Sequence, residues 1–407
     1  MSGARSRLAD RIAGARPRVV AALAARWRDL DLAEDAFGAA CEALLLHGGE
    51  DVRDPAAWLY RAALRKAIDA KRKAGRDARI GEAAMTMGDT HTVLAMPEPI
   101  SDERLRLLFV CCHPALAPDA RVALALRVVC GVSTEHIARA FAVPVPTMLQ
   151  RITRAKAKIA KAKIPFELPP RREWPERAAS VLGALEVSFT QVYEEHSEAG
   201  QSEIADDVVR LAKMLVELLP DHAEAKGFAA LVLLAGSRLR ARHDDEGAMV
   251  PLSQQDPALW DSAMIEEGRV LLDEAAALAD PGPYQLLAAI HLTHARRLYD
   301  GTVDARAVAT LYAGLTVLRP GPIVAINHAL ALAELEGPVA GLAALDAVGA
   351  DTLANHRPLC VARARLLERL GREREAAAML DRALATAPPA AERLYLLKWC
   401  SRLAAQG

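Results

Sequence analysis

Residues 131–163, GVSTEHIARAFAVPVPTMLQRITRAKAKIAKAK, hold the tightest local constraint in the chain: two helical segments separated by a turn only a few residues long. Ser133 is placed to cap the first segment after Gly131, and Ile137, Ala138 and Phe141 give it an apolar side. Val143 and Pro144 break that helix. Pro144 and Pro146 both suit the start of the next one, where a missing N–H costs nothing. From about Pro146 to Lys163, Met148, Ile152, Ala155 and Ile159 recur at steps of four and three and predict a buried stripe. Thr147, Gln150, Arg151, Arg154, Lys158 and Lys161 then face outward. The segment carries Arg151, Arg154, Lys156, Lys158, Lys161 and Lys163 without one acid. A helix pair with a short turn and a basic second helix suits a DNA major groove, with Thr147, Gln150 and Arg151 reaching base edges and the later lysines reaching phosphate. A solvated basic helix in a helical protein is the competing reading.

The remainder is expected to be helical too. Alanine and leucine dominate, aromatic residues make up 4 %, and no segment sustains the Val/Ile/Thr alternation of a strand, so the predicted fold class is all-α. A length of 407 residues suggests two or three domains. The net charge of −1 conceals a division: residues 1–168 hold 27 Lys/Arg against 19 Asp/Glu, whereas residues 169–407 hold 24 against 33. The basic part suits nucleic acid, and the acidic part suits a protein or the basic part itself. Cys41, Cys111, Cys112, Cys130, Cys360 and Cys400 form no CxxC pair and read as reduced thiols. Adjacent residues on a helix diverge, so Cys111, Cys112 and His113 read as buried groups rather than a metal site. No apolar run has the length of a membrane span and no signal-peptide core opens the chain, so a soluble cytoplasmic protein is expected.

A first helical block covers roughly residues 5–73, with breaks at His47–Asp54. A polar stretch from about Ala74 to Ile100, with Gly81, Gly88, Pro97 and Pro99, reads as a tether. A second block runs from Ser101 to Lys163, and PFELPPRREWP at 165–175 marks a junction. Beyond it, Ala364, Gly371, Ala376, Ala383 and Pro388 occupy the small, turn, small, small and terminating positions of a tetratricopeptide repeat. Residues 323–350 around Gly337 and 211–242 around Pro220 offer weaker relatives, and stacked units of this kind form a superhelical layer. A nonrepetitive helical bundle is the alternative.

The first block contains a second basic helix. Asp54-Pro55 is an N-cap aspartate followed by proline at the first helical position. In the helix that follows, Leu59, Ala63 and Ala67 line one side with Leu64 and Ile68 beside them, and Arg61, Arg65, Arg72 and Arg76 fall on an opposite stripe that suits a phosphate backbone. A solvated face with an Arg65–Asp69 pair, worth about 0.3–0.5 kcal/mol, explains the same pattern without DNA.

Three segments carry a resemblance: DLDLAEDAF at 29–37, DPAAWLYRAALRKAID at 54–69, and DERLRLLFVCCHPALAPDARVALALR at 102–127 leading into the helix-turn-helix. Together they resemble bacterial RNA polymerase sigma factors of the extracytoplasmic-function type, and more narrowly the subgroup with a long C-terminal tetratricopeptide-like domain, of which FVCCHPALAP is a marker. The likeness runs from about Leu23 to the end. It implies a sigma region 2-like domain at 1–73, a linker at 74–100, a sigma region 4-like helix-turn-helix domain at 101–164, a junction at 165–175 and a tetratricopeptide-like domain at 176–407. By position, Asp31, Leu32, Glu34 and Asp35 would dock on the clamp helices of the largest subunit of core RNA polymerase. Trp58, Arg61, Arg65, Lys66 and Arg72 would engage the −10 element. Thr147, Gln150, Arg151, Arg154 and Lys158 would engage the −35 duplex, with the same domain against the flap of the second-largest subunit. The resemblance implies promoter DNA and core polymerase as partners, a possible protein partner for the C-terminal domain, and no membrane, cofactor, metal or catalytic residue, because the chemistry belongs to the polymerase.

The chain departs from the pattern in places. Gly38, Ala39 and Cys41 stand where the family has Gln, an acid and Phe; Arg65 replaces an Asn, Val145 a Glu, and Thr190-Gln191-Val192-Tyr193 an Asn-Glu-Gly-Tyr run, whereas Trp260 and Asp261 match. Gly38 and Cys41 motivate a second reading, a diverged sigma-like regulator that binds DNA or partners but holds core polymerase weakly or not at all. An enzyme is the third class, and the chain offers it no Walker loop, HExxH, GxSxG or paired Cys/His set. Glu194, Glu195 and His196 read as solvated charges.

Overall fold

The computed structural model describes residues 12–406 apart from 13–14, 17–18, 47–51, 53, 78–100, 131, 142, 167–168, 195–200 and 349–355. Among the described residues the regular structure is helical, with one isolated bridge between His243 and Met249, so the all-α expectation holds. The chain divides into two units, Met1–Leu218 and Leu219–Gly407. The proline-rich junction at 165–175 does not coincide with that division: the helices that follow it pack with the basic N-terminal part.

The N-terminal unit begins with α1 (residues 19–27), α2 (Leu30–Leu46) and α3 (Pro55–Asp77). Asp29 caps α2, accepting from Leu32 N at 3.0 Å, and Asp54 caps α3, accepting from Ala57 N at 3.1 Å. Helices α2 and α3 pack together, α2 burying Ala33, Ala36, Phe37, Ala40 and Leu44, and α3 burying Leu59, Ala63, Leu64 and Ala67. These α3 positions are the ones its periodicity marks. The helix runs to Asp77, four residues into the stretch read as tether, whose remainder lies outside the described residues, as do Glu195 and His196 and the side chain of Arg76.

Helices α4 (Ser101–Cys111) and α5 (Pro118–Ala125) bury nearly every residue from Leu107 to Cys112 and from Ala120 to Leu126. The FVCC run is therefore core. A π-turn at Leu126–Cys130 closes α5 and leads to α6 (Thr134–Ala140) and α7 (Val145–Lys161). Then α8 (Trp174–Glu194) and α9 (Gln201–Leu218) pack over α4, α5 and α6; Trp174 meets Phe109 edge-on at 6.2 Å.

The C-terminal unit comprises α10 (Ala223–Gly236), α11 (Ser262–Ala277), α12 (Pro283–Ala295), α13 (Arg297–Asp300), α14 (Ala305–Leu318), α15 (Pro322–Glu336), α16 (Pro338–Ala347), α17 (Arg357–Arg369), α18 (Glu373–Leu384) and α19 (Ala390–Gln406). Each packs chiefly on its neighbours in sequence, the quasi-one-dimensional pattern of stacked helix pairs. Small residues set the spacing. A Cβ on Gly341 of α16 would lie 2.9 Å from Leu366 Cδ1 of α17 and 3.0 Å from Ala329 O of α15. Between α17 and α18, Gly371 takes φ +69°, and Ala364, Ala376 and Ala383 are fully buried, as their spacing suggests. Pro220 lies at the division between the units, so the helices flanking it belong to different units.

Candidate nucleic-acid interface

Four residues separate α6 from α7. Pro144 holds the first turn of α7, its carbonyl accepting from Thr147 N at 2.9 Å and Met148 N at 3.1 Å, with no side-chain cap. Met148, Ile152, Ala155 and Ile159 are buried, the four positions expected. The opposite face is open: Thr147, Gln150, Arg154 and Lys158 are exposed, and they line a shallow groove of about 380 Å³ floored by Leu116 and Ala120. No acid precedes or follows them on α7, so this face presents positive charge along about three turns.

The two cations that border the apolar stripe behave differently. Arg151 is half-buried, pairs with Asp119 Oδ2 at 3.0 Å and lies 6.0 Å from the Phe141 ring centroid. Lys156, on the other edge, turns inward to α2: its ammonium lies 2.7 Å from Asp31 Oδ1 and 2.6 Å from Glu34 Oε2. Its side chain is 14 % exposed and that of Glu34 only 9 %, so the contact is largely dry. Glu34 also pairs with Arg16 and lies 3.7 Å from Arg127 Nε. Burial alone would lower the Lys156 pKa, but Glu34 and Asp31 outweigh it and hold the ammonium above its ordinary value. Burial lowers Arg16 instead, with Glu34 opposing.

Of the α2 residues expected at a polymerase surface, Asp31 and Asp35 are exposed, Leu32 is half-buried, and Glu34 is enclosed by three cations. On α3, Trp58 is half-buried and Arg61, Arg65, Lys66 and Arg72 are all exposed, with none of the four in a described ion pair. Sequence reasoning missed the inward course of Lys156 and the convergence of Arg16 and Arg127 on Glu34. The available signal was position: Lys156 stands one step off the Ile152–Ile159 stripe, where a long side chain reaches a neighbouring helix.

Burial pushes the Cys112 thiol up to about 12 and Cys111 well above its ordinary value, which makes both inert apolar groups. Among the described residues, no three His, Cys, Asp or Glu side chains converge as a metal site. No described helix is long and apolar enough to cross a membrane.

Residues 106–159, spanning α4 to α7, match the family model for sigma-70, region 4, and residues 177–276 match a family of unknown function, DUF6596. The chain is 39 % identical over 404 residues to uncharacterized protein R00370 of Rhizobium meliloti (strain 1021), an alignment covering 97 % of this chain and 95 % of the relative. No solved structure matches. The chain belongs to the family of that Rhizobium meliloti protein, and its basic helix-turn-helix falls within a sigma-factor type of DNA-binding segment.

Proposed function

We propose that this family member is an alternative RNA polymerase sigma factor of the extracytoplasmic-function type, which binds core polymerase and directs promoter-specific initiation. The observation that carries the reading is the coincidence of the sigma-70 region 4 match with the open basic face of α7. Thr147, Gln150 and Arg154 are the proposed readers of a −35 duplex, with Lys158 on phosphate and Arg151 contributing less while Asp119 holds it. Arg61, Arg65, Lys66 and Arg72 of α3, with Trp58, are the proposed −10 contacts, where cations and an aromatic ring suit an opened strand. Asp31, Leu32, Glu34 and Asp35 are the proposed contacts to the largest-subunit clamp helices, and residues 101–164 the proposed contact to the flap of the second-largest subunit.

The proposed layout is a region 2-like domain at 1–73, a linker at 74–100, a region 4-like domain at 101–164, a junction at 165–175 and a tetratricopeptide-like regulatory domain at 176–407. Reach favours it. Elements centred 25 base pairs apart are separated by about 85 Å at 3.4 Å per pair. The linker, at up to about 3.5 Å per residue, can extend about as far. Engaging both elements at once requires Lys156 to leave Asp31 and Glu34, because that bridge holds the two DNA-facing modules together.

The second reading, a sigma-like regulator with weak core binding, is favoured by Gly38 and Cys41 in α2 and by the enclosure of Glu34. Transcription in vitro with purified core polymerase on a promoter library decides between them. Initiation that depends on this chain supports the first reading; no core binding at micromolar concentration leaves only the second.

A further inference from the structure

Polar contacts joining the two DNA-facing modules converge on the first half of α2. From one side comes Lys156 of α7, whose ammonium lies 2.7 Å from Asp31 Oδ1 and 2.6 Å from Glu34 Oε2. With it comes Arg127 of the π-turn, its Nε 3.7 Å from Glu34 Oε1. From the other side Arg16 pairs with the same carboxylate and donates to the Arg127 carbonyl at 3.4 Å. The two arms of the lysine bridge are unequal. The Asp31 side chain is 69 % exposed, so that arm is worth little in water. Glu34 is nearly enclosed, and a carboxylate so placed holds its cations firmly, because losing them leaves its charge without water or a counter-ion.

Asp31 and Glu34 are also acids proposed to meet core polymerase. One carboxylate cannot serve both partners at once, and Glu34 is closed to an outside surface while Lys156 lies across it. The arrangement is nevertheless separable. Arg16 stays with α2, since its guanidinium lies 5.4 Å from the Phe37 ring centroid. When Lys156 and Arg127 depart together, Glu34 is uncovered but keeps one cation, so no bare buried acid is left. Thr147, Gln150, Arg154 and Lys158 stand on another side of α7 from Lys156 and are exposed with the bridge in place. The bridge therefore covers α2 and leaves the duplex-facing side of α7 open.

We propose that the Lys156 bridge is an autoinhibitory latch: in the free chain α7 occupies the acids of α2, and core polymerase has to displace it in order to dock. The inference rests on the polymerase reading and adds a competing step to it. The displacing surface has to present cations of its own, because it takes the place of an ammonium and a guanidinium. A chain that is open for only a fraction of the time binds with an apparent Kd raised by the inverse of that fraction. Weak core binding then has a source other than Gly38 and Cys41, and it is one that a single substitution removes.

Carbodiimide cross-linking of the full chain tests the latch directly, because the reagent joins an ammonium to a carboxylate with which it is in contact. Peptide mass spectrometry should find Lys156 joined to Asp31 or Glu34 in the free chain, and saturating core polymerase should cut that yield about fivefold or more. Lys156→Gln, checked for unchanged helical circular dichroism, removes the ammonium and leaves Glu34 with Arg16. It should tighten core polymerase about five- to tenfold, whereas Lys156→Arg, which keeps the cation, should stay within about twofold of the unmodified chain. A random-sequence duplex of about 20 base pairs at low salt should bind Lys156→Gln within about threefold of the unmodified chain, since the open cations of α7 are untouched. Core bound by Lys156→Gln alone is the strongest support. No such cross-link in the free chain, a yield that bound core leaves unchanged, or equal core affinity with and without Lys156 overturns the latch and leaves the polymerase reading standing. Core bound by neither chain overturns both.

Discussion

Helices α3 and α7 carry comparable positive charge, but they spend it differently. On α3, Arg61, Arg65, Lys66 and Arg72 all stand in solvent, and Lys71 reaches an acid only loosely, 3.7 Å from Asp29 Oδ2 with both side chains still open. On α7, Arg154 and Lys158 do the same, while Arg151 is held by Asp119 and Lys156 by Asp31 and Glu34. A count of basic residues treats all of these as equal. The difference teaches that a cation's place on the helical wheel decides its role: those opposite the apolar stripe stay available to phosphate, and those bordering it are drawn to acids on neighbouring helices.

The strongest way to break this comparison is Lys156→Glu. It replaces the bridging ammonium with a third carboxylate beside Asp31 and a nearly buried Glu34. The contact between α2 and α7 should weaken by roughly 3 kcal/mol, the cost of breaking a buried pair. Hydrogen exchange should rise in both helices and the urea midpoint should fall. Unchanged exchange would show that the bridge contributes nothing to holding the helices together.

Next in size are the exposed cations. Arg65→Ala and Arg154→Ala should each weaken promoter binding by about 1–3 kcal/mol, or roughly 5- to 150-fold, and a lost phosphate contact should reduce the salt slope by about one. Fluorescence anisotropy across a salt series reads both. Arg151→Ala should cost less than Arg154→Ala, because DNA must first compete with Asp119 for that guanidinium. Asp119→Ala then sharpens the point by freeing Arg151 and tightening DNA binding about two- to fivefold, the worth of a half-exposed ion pair. Equal losses at Arg151 and Arg154 would mean that Asp119 releases its partner at no cost.

How far the sequence reaches follows the same physics. Met148, Ile152, Ala155 and Ile159, and the Asp54-Pro55 start of α3, were legible because periodicity and capping are local. So was the Gly371 turn between Ala364 and Ala376. What joins Lys156 to Glu34 is a contact across 122 positions, and nothing within either helix encodes it. Arg238 and His291, 53 positions apart, meet through the same kind of tertiary approach. The division at Leu218 was hidden as well: the prolines at 165–175 mark a break in the chain, whereas a division between units depends on which faces pack.

The smallest expected effect bears on the middle of α2. Gly38 is exposed in mid-helix, and a Cβ built there meets nothing within 4 Å. Gly38→Ala should therefore stabilise the N-terminal unit by about 0.5–1 kcal/mol through helix propensity alone. For a unit of this size that is a rise in Tm of about 2–4 °C per kcal/mol. Gly38→Gln separates propensity from contact, since it restores the side chain that sigma factors carry at this position. If both variants raise stability and only Gln tightens core polymerase, the glycine has weakened a real docking surface. If the two variants tighten core polymerase equally, the gain comes from a firmer α2, and position 38 makes no contact. If neither does, position 38 contributes nothing to core binding, and the departure at Gly38 does not favour the reading with weak core binding.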